Sequence, residues 1–202
     1  GVARYAVISD DLTGAGDTGV QFAVAGLPTA LDVDEAHQHL DAEVLVVTTD
    51  SRGQQPSVAA DWVGEEVRRL LAAGVQQFYK KIDSTCRGNL ATEIAAVLEQ
   101  LGPDTLAVVC PAFPPTGRVV VGGHLLVGDE PVHRAPIGVD PITPVTSSRI
   151  AELLAAEFPD AAHVDLDVVS EGHEAIGEAL AQLSREIRAV VVDAMSEADL
   201  HE

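Results

Sequence analysis

The chain has 202 residues, of which 47% are hydrophobic, and a formal net charge of −20. This charge disfavours nucleic acid and anionic membrane surfaces as partners, because both repel an acidic protein. No apolar run reaches the roughly 20 residues of a membrane-spanning helix. The two cysteines, Cys86 and Cys110, show no CxxC spacing, so we predict no disulfide framework, no metal site and a cytoplasmic location.

Short apolar runs rich in β-branched residues are typical of buried strands. In chain order, we predict strands at Tyr5–Ser9, Thr29–Val33, Val44–Thr48, Phe78–Ile82, Leu106–Cys110, His163–Val169 and Ala189–Asp193. Apolar residues at helical spacing lie between most of these runs. We predict that Ser57 is the N-cap of one helix and Asn89 of another, and that two further helical stripes begin at Ile150 and Ile176.

The alternation of strands and helices predicts an α/β fold: an open, mostly parallel sheet with helices on both faces and right-handed crossovers. Residues 111–132 interrupt this pattern, since they are Gly-rich and β-like and carry no helical stripe. We predict a β-hairpin or flap inserted there. The whole of residues 1–202 is predicted to form a single α/β domain.

The last predicted strand is followed by a helix start at Ser196, with Asp199 three residues further on as in a capping box. A natural domain seldom ends one turn into a helix. We therefore expect that the chain is truncated before a further domain.

Polar loops follow four of the predicted strands. They read SDDLTG (9–14), TTDSRG (48–53), KKIDSTCRGN (80–89) and PAFPPTGR (111–118). Ligands of open parallel sheets bind outside the carboxyl ends of the strands. Arginine and lysine suit a carboxylate or phosphate, whereas aspartate, serine and asparagine suit hydroxyl groups. The mixture predicts a pocket for a small polyhydroxy acid.

Lys80 and Lys81 are the only lysines in the sequence, and Arg87 follows six residues after Lys81. In so acidic a chain, this grouping indicates a local anion site. The alternative is a chance pair of lysines in a composition that prefers arginine.

No nucleotide-binding signature is present in the sequence. The turn DDLTGAGDTG (10–19) lacks the GxGxxG pattern and places two acidic residues where a pyrophosphate would lie, and no P-loop pattern occurs. Its second part, GAGDTG, is similar to the anion-hole turn of ribokinase-like sugar kinases. In that family the turn lies late in the chain, whereas here it follows the first predicted strand. This position argues against a ribokinase-like fragment, which is kept as an alternative because of the motif.

Taken together, the loops resemble the four-carbon acid sugar kinase family, some members of which carry a type III effector label. The resemblance rests on the motifs DDLTGAGDTGVQFAVAGLPT (10–29), TTDSRG (48–53), KKIDSTCRGN (80–89), PAFPPTGR (111–118), DPITPVTSS (140–148) and VVVDA (190–194). Any one of these motifs is weak evidence, but the set in this order is specific and spans most of the chain.

The resemblance implies an ATP-dependent kinase that acts on acids such as threonate, erythronate or 3-oxo-tetronate. It implies two α/β domains, of which the first binds the sugar acid and the second binds ATP. Mg²⁺ is expected to be bound mainly by the second domain. This chain resembles the first domain only. A stand-alone acid-sugar-binding sensor without catalysis is the alternative, and a homo-oligomer is one expectation for the assembly.

The resemblance also implies roles for individual residues. Asp11 is the hypothesis for the catalytic base, with Asp17 as its rival; a helical first-turn carboxylate is the structural explanation for Asp17. The residues expected to bind the substrate are Asp10, Arg52, Lys81, Asp83, Ser84, Arg87, Asn89 and Arg118.

Overall fold

A computed structural model of the chain describes residues 3–32 and 41–202. The packing of the chain divides it into two compact units. Unit 1 comprises Gly1–Asp83 and Thr92–Gln100, and unit 2 comprises Ser84–Ala91 and Leu101–Glu202. Each unit is built around its own parallel sheet.

Unit 1 contains four strands and three helices in the described part of the chain, and the last helix extends past the unit boundary by two residues at its start and one at its end. The elements are β1 (Tyr5–Ser9), α1 (Leu12–Val24), β2 (Thr29–Asp32), β3 (Val44–Thr48), α2 (Pro56–Ala72), β4 (Gln77–Lys81) and α3 (Leu90–Leu101). The strand order is β2-β3-β1-β4, and all pairs are parallel.

This strand order places helices on both faces of the unit 1 sheet. The crossovers from β1 to β2 and from β3 to β4 run in opposite directions, so their right-handedness puts α1 and α2 on opposite faces. The α1 face carries a core of Val7, Ala15, Val44 and Val46, against which Phe22 packs. The ring of Phe22 meets that of Tyr79 edge-on, with centroids 6.2 Å apart.

Unit 2 contains a parallel sheet and a small antiparallel one. Its elements are β5 (Ala107–Val109), β6 (Arg118–Val121), β7 (His124–Val127), β8 (Glu130–Pro131), α4 (Ile150–Leu154), β9 (Ala162–Val164), α5 (Leu166–Ser170), α6 (His173–Ala181), β10 (Ala189–Val192) and α7 (Glu197–His201). The parallel sheet has the order β5-β10-β9, and the antiparallel sheet has the order β6-β7-β8.

The core of unit 2 lies between its parallel sheet and the helices α5 and α6. Val164, Val169 and Val190 form the buried cluster, and Ile176 and Leu180 of α6 pack against it. The antiparallel sheet is joined to the end of the parallel one through the pairing of Val120 with Ala194.

The predicted fold class is confirmed, and so is the β insertion within residues 111–132, which the structure forms as β6, β7 and β8. The parallel strands lie in two sheets of four and three rather than in one. The predicted end of the second strand, Val33, lies outside the described residues.

Two local predictions were wrong. The strand predicted at His163–Val169 ends at Val164, and α5 begins at Leu166, because the Asp165 side chain accepts a hydrogen bond from the Val168 N–H at 3.1 Å and caps a helix. The helix predicted to have Ser57 as its N-cap begins at Pro56, two residues earlier than that cap implies, with Gln55 at the N-cap position; the fixed φ of Pro56 suits the first helical position.

Candidate functional site

The carboxyl ends of β1, β3 and β4 meet at one edge of the unit 1 sheet. Ser9, the last residue of β1, is in register with Thr48 of β3 and with Lys81 of β4. The three polar loops that follow these strands are therefore neighbours. The fourth loop, residues 111–118, follows β5 in the sheet of unit 2.

Asp10 and Arg52 form a two-pronged ion pair at this edge. Arg52 donates from Nε to Asp10 Oδ2 at 3.1 Å and from Nη2 to Asp10 Oδ1 at 2.9 Å. Asp10 is 4% exposed, and the backbone N–H groups of Ser51 and Arg52 donate to its carbonyl oxygen. A buried carboxylate needs such a partner, because an unpaired charge in the interior is costly.

Asp11 begins helix α1. Its backbone is extended, and its Oδ1 accepts a hydrogen bond from the Gly14 N–H at 2.9 Å, so it is the N-cap. The same oxygen lies 3.3 Å from Arg52 Nη2 and 3.4 Å from the Ser9 hydroxyl. Within the described part of the chain, Asp11 Oδ2 has no hydrogen-bonding partner.

Lys81 lies at the same edge, on the α1 face of the sheet. A Cβ at Gly14 would be 3.6 Å from Lys81 Cγ, and the ammonium group donates to the Ile82 carbonyl. Burial lowers the pKa of Lys81, and the positive charge of Arg52 lowers it further, whereas Asp83 and Asp10 act in the opposite direction.

Arg52 is the centre of this charged cluster. Besides Asp10 and Asp11, its Nη2 lies 3.7 Å from Asp83 Oδ1. Burial acts to lower the pKa of Arg52, but the hydrogen bond and charge of Asp10, with the charges of Asp83 and Asp11, raise it above its usual value. The structure therefore brings together five of the residues predicted from the sequence, which we call the acid-binding edge after the ligand expected from the sequence: Asp10, Asp11, Arg52, Lys81 and Asp83.

Asp17, the rival for the catalytic base, lies in the second turn of α1 with an exposed side chain. The first turn of this helix contains no acidic residue, so the first-turn explanation of Asp17 was wrong. No hydrogen bond or ion pair among the described residues joins Asp17 to the acid-binding edge.

The other predicted residues belong to unit 2. Arg87 Nη1 lies 3.7 Å from Asp140 Oδ2, and Arg118 Nη1 donates to the Thr116 carbonyl at 3.0 Å. Backbone N–H groups of Thr143 and Ile142 lower the pKa of Asp140. Ser84 lies in the turn after β4, and Asn89 directly precedes α3.

A second polar network in unit 1 was missed by the sequence reasoning. Glu93 of α3, whose side chain is 3% exposed, pairs with Lys80 Nζ at 3.1 Å and accepts from the Ser51 hydroxyl at 3.1 Å. Burial raises the pKa of Glu93, against the opposing effect of Lys80. A signal was present, because Glu93 interrupts the apolar stripe of its helix three residues after Leu90.

Unit 2 has a buried carboxylate of its own, Asp193, which the sequence reasoning quoted only as part of a motif. Its oxygens accept from the N–H groups of Gly122 at 2.8 Å, Gly123 at 2.9 Å and Leu166 at 3.1 Å. His163 Nε2 lies 2.8 Å from Asp193 Oδ1. These contacts join the β6–β7 turn to the end of β10.

Residues 3–32 and 41–202 lack two other kinds of feature. No cluster of three or more His, Cys, Asp or Glu side chains in this range has the arrangement of a metal site. Within the same range, none of the helices is both long and apolar enough to cross a membrane.

Comparison with known proteins decides the family. The family model described as a sugar-binding N-terminal domain matches residues 5–202. The chain belongs to this family. The resemblance to four-carbon acid sugar kinases that the sequence motifs indicated is confirmed by relatives named for that activity.

One relative of this sugar-binding N-terminal domain is the D-threonate kinase of Bordetella bronchiseptica, which is 47% identical over 204 residues covering 96% of this chain and 47% of the relative. The D-erythronate kinase of Heliobacterium modesticaldum is 42% identical over 205 residues, or 98% of this chain and 47% of the relative. The chain thus spans about half the length of the curated relatives it matches.

A solved structure from Bordetella bronchiseptica matches the sugar-binding domain with a TM-score of 0.85 at 44% identity, over 97% of this chain and 48% of that one. It is described as a domain of unknown function with bound citrate and as a domain-swapped dimer.

Proposed function

We propose that this chain supplies the sugar-acid-binding half of an ATP-dependent kinase for a four-carbon acid sugar of the threonate, erythronate or 3-oxo-tetronate type. The observation that carries the proposal is the acid-binding edge, where two cations and three carboxylates meet at the carboxyl ends of parallel strands. The family description and the names of the relatives support the same ligand class.

The cations of the edge provide recognition of the substrate carboxylate. Arg52 uses Nε and Nη2 to bind Asp10, and its Nη1 makes no hydrogen bond within the described residues. Lys81 spends one N–H on a backbone carbonyl, and an ammonium group has three. Both side chains therefore retain donors for an incoming carboxylate. Citrate, bound by the solved Bordetella bronchiseptica relative, is also a hydroxy acid.

The carboxylates of the edge suit the substrate hydroxyls, since ionised carboxylates only accept hydrogen bonds. We assign the proton transfer to Asp11 because its Oδ2 is left without a partner among the described residues while Oδ1 holds the helix start. In this assignment, Asp11 Oδ2 accepts the proton of the reacting hydroxyl. Asp17, whose exposed side chain lies on the second turn of α1, stays the rival base.

ATP supplies the phosphoryl group in the proposed reaction. The first turn of α1 does not fit its phosphates, because the Gly14 N–H is already bound by Asp11 and Asp10 adds a second carboxylate nearby. We therefore assign ATP and Mg²⁺ to the C-terminal half of the proposed kinase, outside this chain.

Two measurements test the proposal. Calorimetry should detect weak binding of D-threonate or D-erythronate to the 202-residue chain, and the protein encoded by the complete reading frame should phosphorylate one of these acids with ATP. Binding without phosphorylation by that protein would favour the acid-sugar sensor. Threonate-dependent ATP hydrolysis by the 202 residues alone would contradict the assignment of ATP to another half.

Asp11→Asn is the direct test of the base. Asparagine is as good an N-cap as aspartate, so the variant should keep the fold of α1. In the complete protein, we expect turnover to fall about 100-fold or more, since general base catalysis contributes factors of this order. Near-normal turnover of Asp11→Asn, with a large loss in Asp17→Asn, would transfer the role to Asp17.

The finer points of the proposal concern the remaining residues and the assembly. Ser84, Arg87, Asn89 and Arg118 are proposed substrate contacts, and single alanine variants should show reduced affinity by calorimetry. We also propose a cytoplasmic homo-oligomer, for which the domain-swapped dimer of the relative is the support. Light scattering on the purified protein would test the oligomer, since a monomer at all concentrations would exclude it.

A further inference from the structure

The two lysines of the sequence have different partners. Side chains of successive residues in a strand point to opposite faces. Lys81 lies on the α1 face with the acid-binding edge, and Lys80 pairs with Glu93 of α3 at 3.1 Å. Only one of the two lysines therefore belongs to the acid-binding edge, and the other is part of a support beneath it.

Glu93 connects this support to the loop after β3. Its Oε2 accepts from the Ser51 hydroxyl at 3.1 Å, and that hydroxyl lies 2.6 Å from Thr49 Oγ1. Ser51 is completely buried. The charged groups that face Glu93 are Lys80 of β4 and, at longer range, Asp10 after β1.

The loop that Ser51 anchors carries Arg52. The N–H groups of Ser51 and Arg52 donate to the Asp10 carbonyl at 3.1 and 3.3 Å, and the Arg52 guanidinium grips the Asp10 carboxylate. Asp50, one residue before Ser51, has a φ of 50°, a conformation that a non-glycine residue adopts at some cost. A loop with this backbone needs fixed contacts on either side to keep its geometry.

We propose that Glu93 is a positioning residue, which holds the Ser51 loop so that the Arg52 guanidinium is kept in its binding geometry against Asp10. The inference rests on the proposed function in that Arg52 is the group assigned to the substrate carboxylate. Glu93 does not itself contact the acid-binding edge through a hydrogen bond among the described residues.

The first experiment needs no ligand. The Arg52 Nε–H, bound to Asp10 Oδ2, gives a side-chain signal in nuclear magnetic resonance of the isotope-labelled chain, assigned by its loss in Arg52→Lys. In Ser51→Ala and Glu93→Ala, we expect its exchange with solvent to accelerate about tenfold, the effect of losing roughly one hydrogen bond. Val67→Ala, a buried change in α2 about three helical turns along the chain from this loop, is the control that lowers stability.

The second experiment separates positioning from stability by a compensated variant. Glutamine at position 93 keeps an oxygen that can accept from Ser51, and Lys80→Met removes the ammonium that would otherwise be buried without a counter-charge. The double variant E93Q/K80M should retain the slow exchange of Arg52 and the wild-type affinity for D-threonate and D-erythronate. Glu93→Ala, measured well below its melting temperature, should lose about tenfold in affinity.

Each outcome has one meaning. Unchanged Arg52 exchange in both Ser51→Ala and Glu93→Ala overturns the positioning role, whatever happens to their melting temperatures. Faster exchange in these variants with slow exchange in Val67→Ala and in E93Q/K80M supports it. If the wild-type chain binds neither acid, the proposed function fails, and the exchange result still decides the role of Glu93.

Discussion

The two parallel sheets each stabilise a buried aspartate, but with different kinds of partner. In each, a buried aspartate directly follows the central strand: Asp10 after β1, 4% exposed, and Asp193 after β10, 1% exposed. Asp10 is bound by the guanidinium of Arg52. Asp193 is bound by three backbone N–H groups and His163.

This difference distinguishes Asp193, which anchors the fold, from Asp10, which belongs to the proposed binding site. Backbone N–H groups cannot turn away from Asp193 without moving the β6–β7 turn and the start of α5, so its contacts serve the fold. Side chains can accept further partners, and a guanidinium that binds one carboxylate through two of its N–H groups retains others for a charged ligand. The edge of unit 1 therefore has the remaining donors that ligand binding requires.

Replacing Asp193 should have the largest effect on stability. Asp193→Ala leaves three backbone N–H groups without their acceptor, and each such group costs about 1–3 kcal/mol. We expect a loss of at least about 3 kcal/mol in the free energy of unfolding, measured by urea denaturation. Asp193→Asn retains one oxygen and should lose less; equal stability of Asp193→Ala and wild type would show that Asp193 is no anchor.

Removing Arg52 should have the next largest effect and should act on both stability and binding. Arg52→Ala leaves the Asp10 carboxylate buried without its partner, and since Arg52 is 20% exposed we expect a loss of about 2 kcal/mol rather than the full cost of a buried pair. Calorimetry should show no remaining acid binding. The double variant D10A/R52A should recover much of the stability but none of the binding, and recovery of binding would exclude Arg52 from the site.

Enlarging Gly14 tests how tightly the acid-binding edge is packed. An added Cβ would lie 2.5 Å from Asp11 Oδ1 and 2.9 Å from the Ser9 hydroxyl. Gly14→Ala should therefore displace the Asp11 carboxylate and cost about 1–3 kcal/mol in the free energy of unfolding. Gly16→Ala in the same helix meets nothing within 4 Å and is the matched control; equal losses in both variants would contradict this packing.

The smallest expected effect is a pH dependence carried by Lys81. Burial lowers its pKa in the folded chain, so acid binding should weaken as the pH rises through that lowered value, before an ordinary lysine would lose its charge. Between the lowered pKa of folded Lys81 and that of an ordinary lysine, the unfolded chain binds more protons than the folded chain. The free energy of unfolding should therefore rise with pH in this interval. Opposite trends of affinity and melting temperature are expected, and both should disappear in Lys81→Met.

The sequence predicts much of this fold because the signals for single elements are local. The runs Tyr5–Ser9 and Val44–Thr48 form strands with the predicted bounds, since continuous β-branched segments have few alternatives. The division of the strands between two sheets depends on contacts between distant segments, which no local pattern contains. At Asp165, a helix cap outweighed the strand-like spacing of its neighbours.

The site was predictable where it follows from strand ends and not where it depends on partners. Asp10, Arg52 and Lys81 were found because parallel strands bring their carboxyl ends together. The pairing of Arg52 with Asp10, and of Lys80 with Glu93, is a tertiary choice among several carboxylates in an acidic chain. The sequence reasoning grouped Lys80 with Lys81 in one anion site, whereas the alternation of side chains along β4 places the two lysines on opposite faces.

The confinement of both lysines to β4 makes this strand a chemical reporter. Lys80 and Lys81 carry the only side-chain amines with which an amine-reactive reagent can react. Burial lowers the pKa of Lys81, so near neutrality a larger fraction of its amine is uncharged and nucleophilic than in an ordinary lysine. The extent of acylation on β4 would therefore report whether a ligand occupies the acid-binding edge.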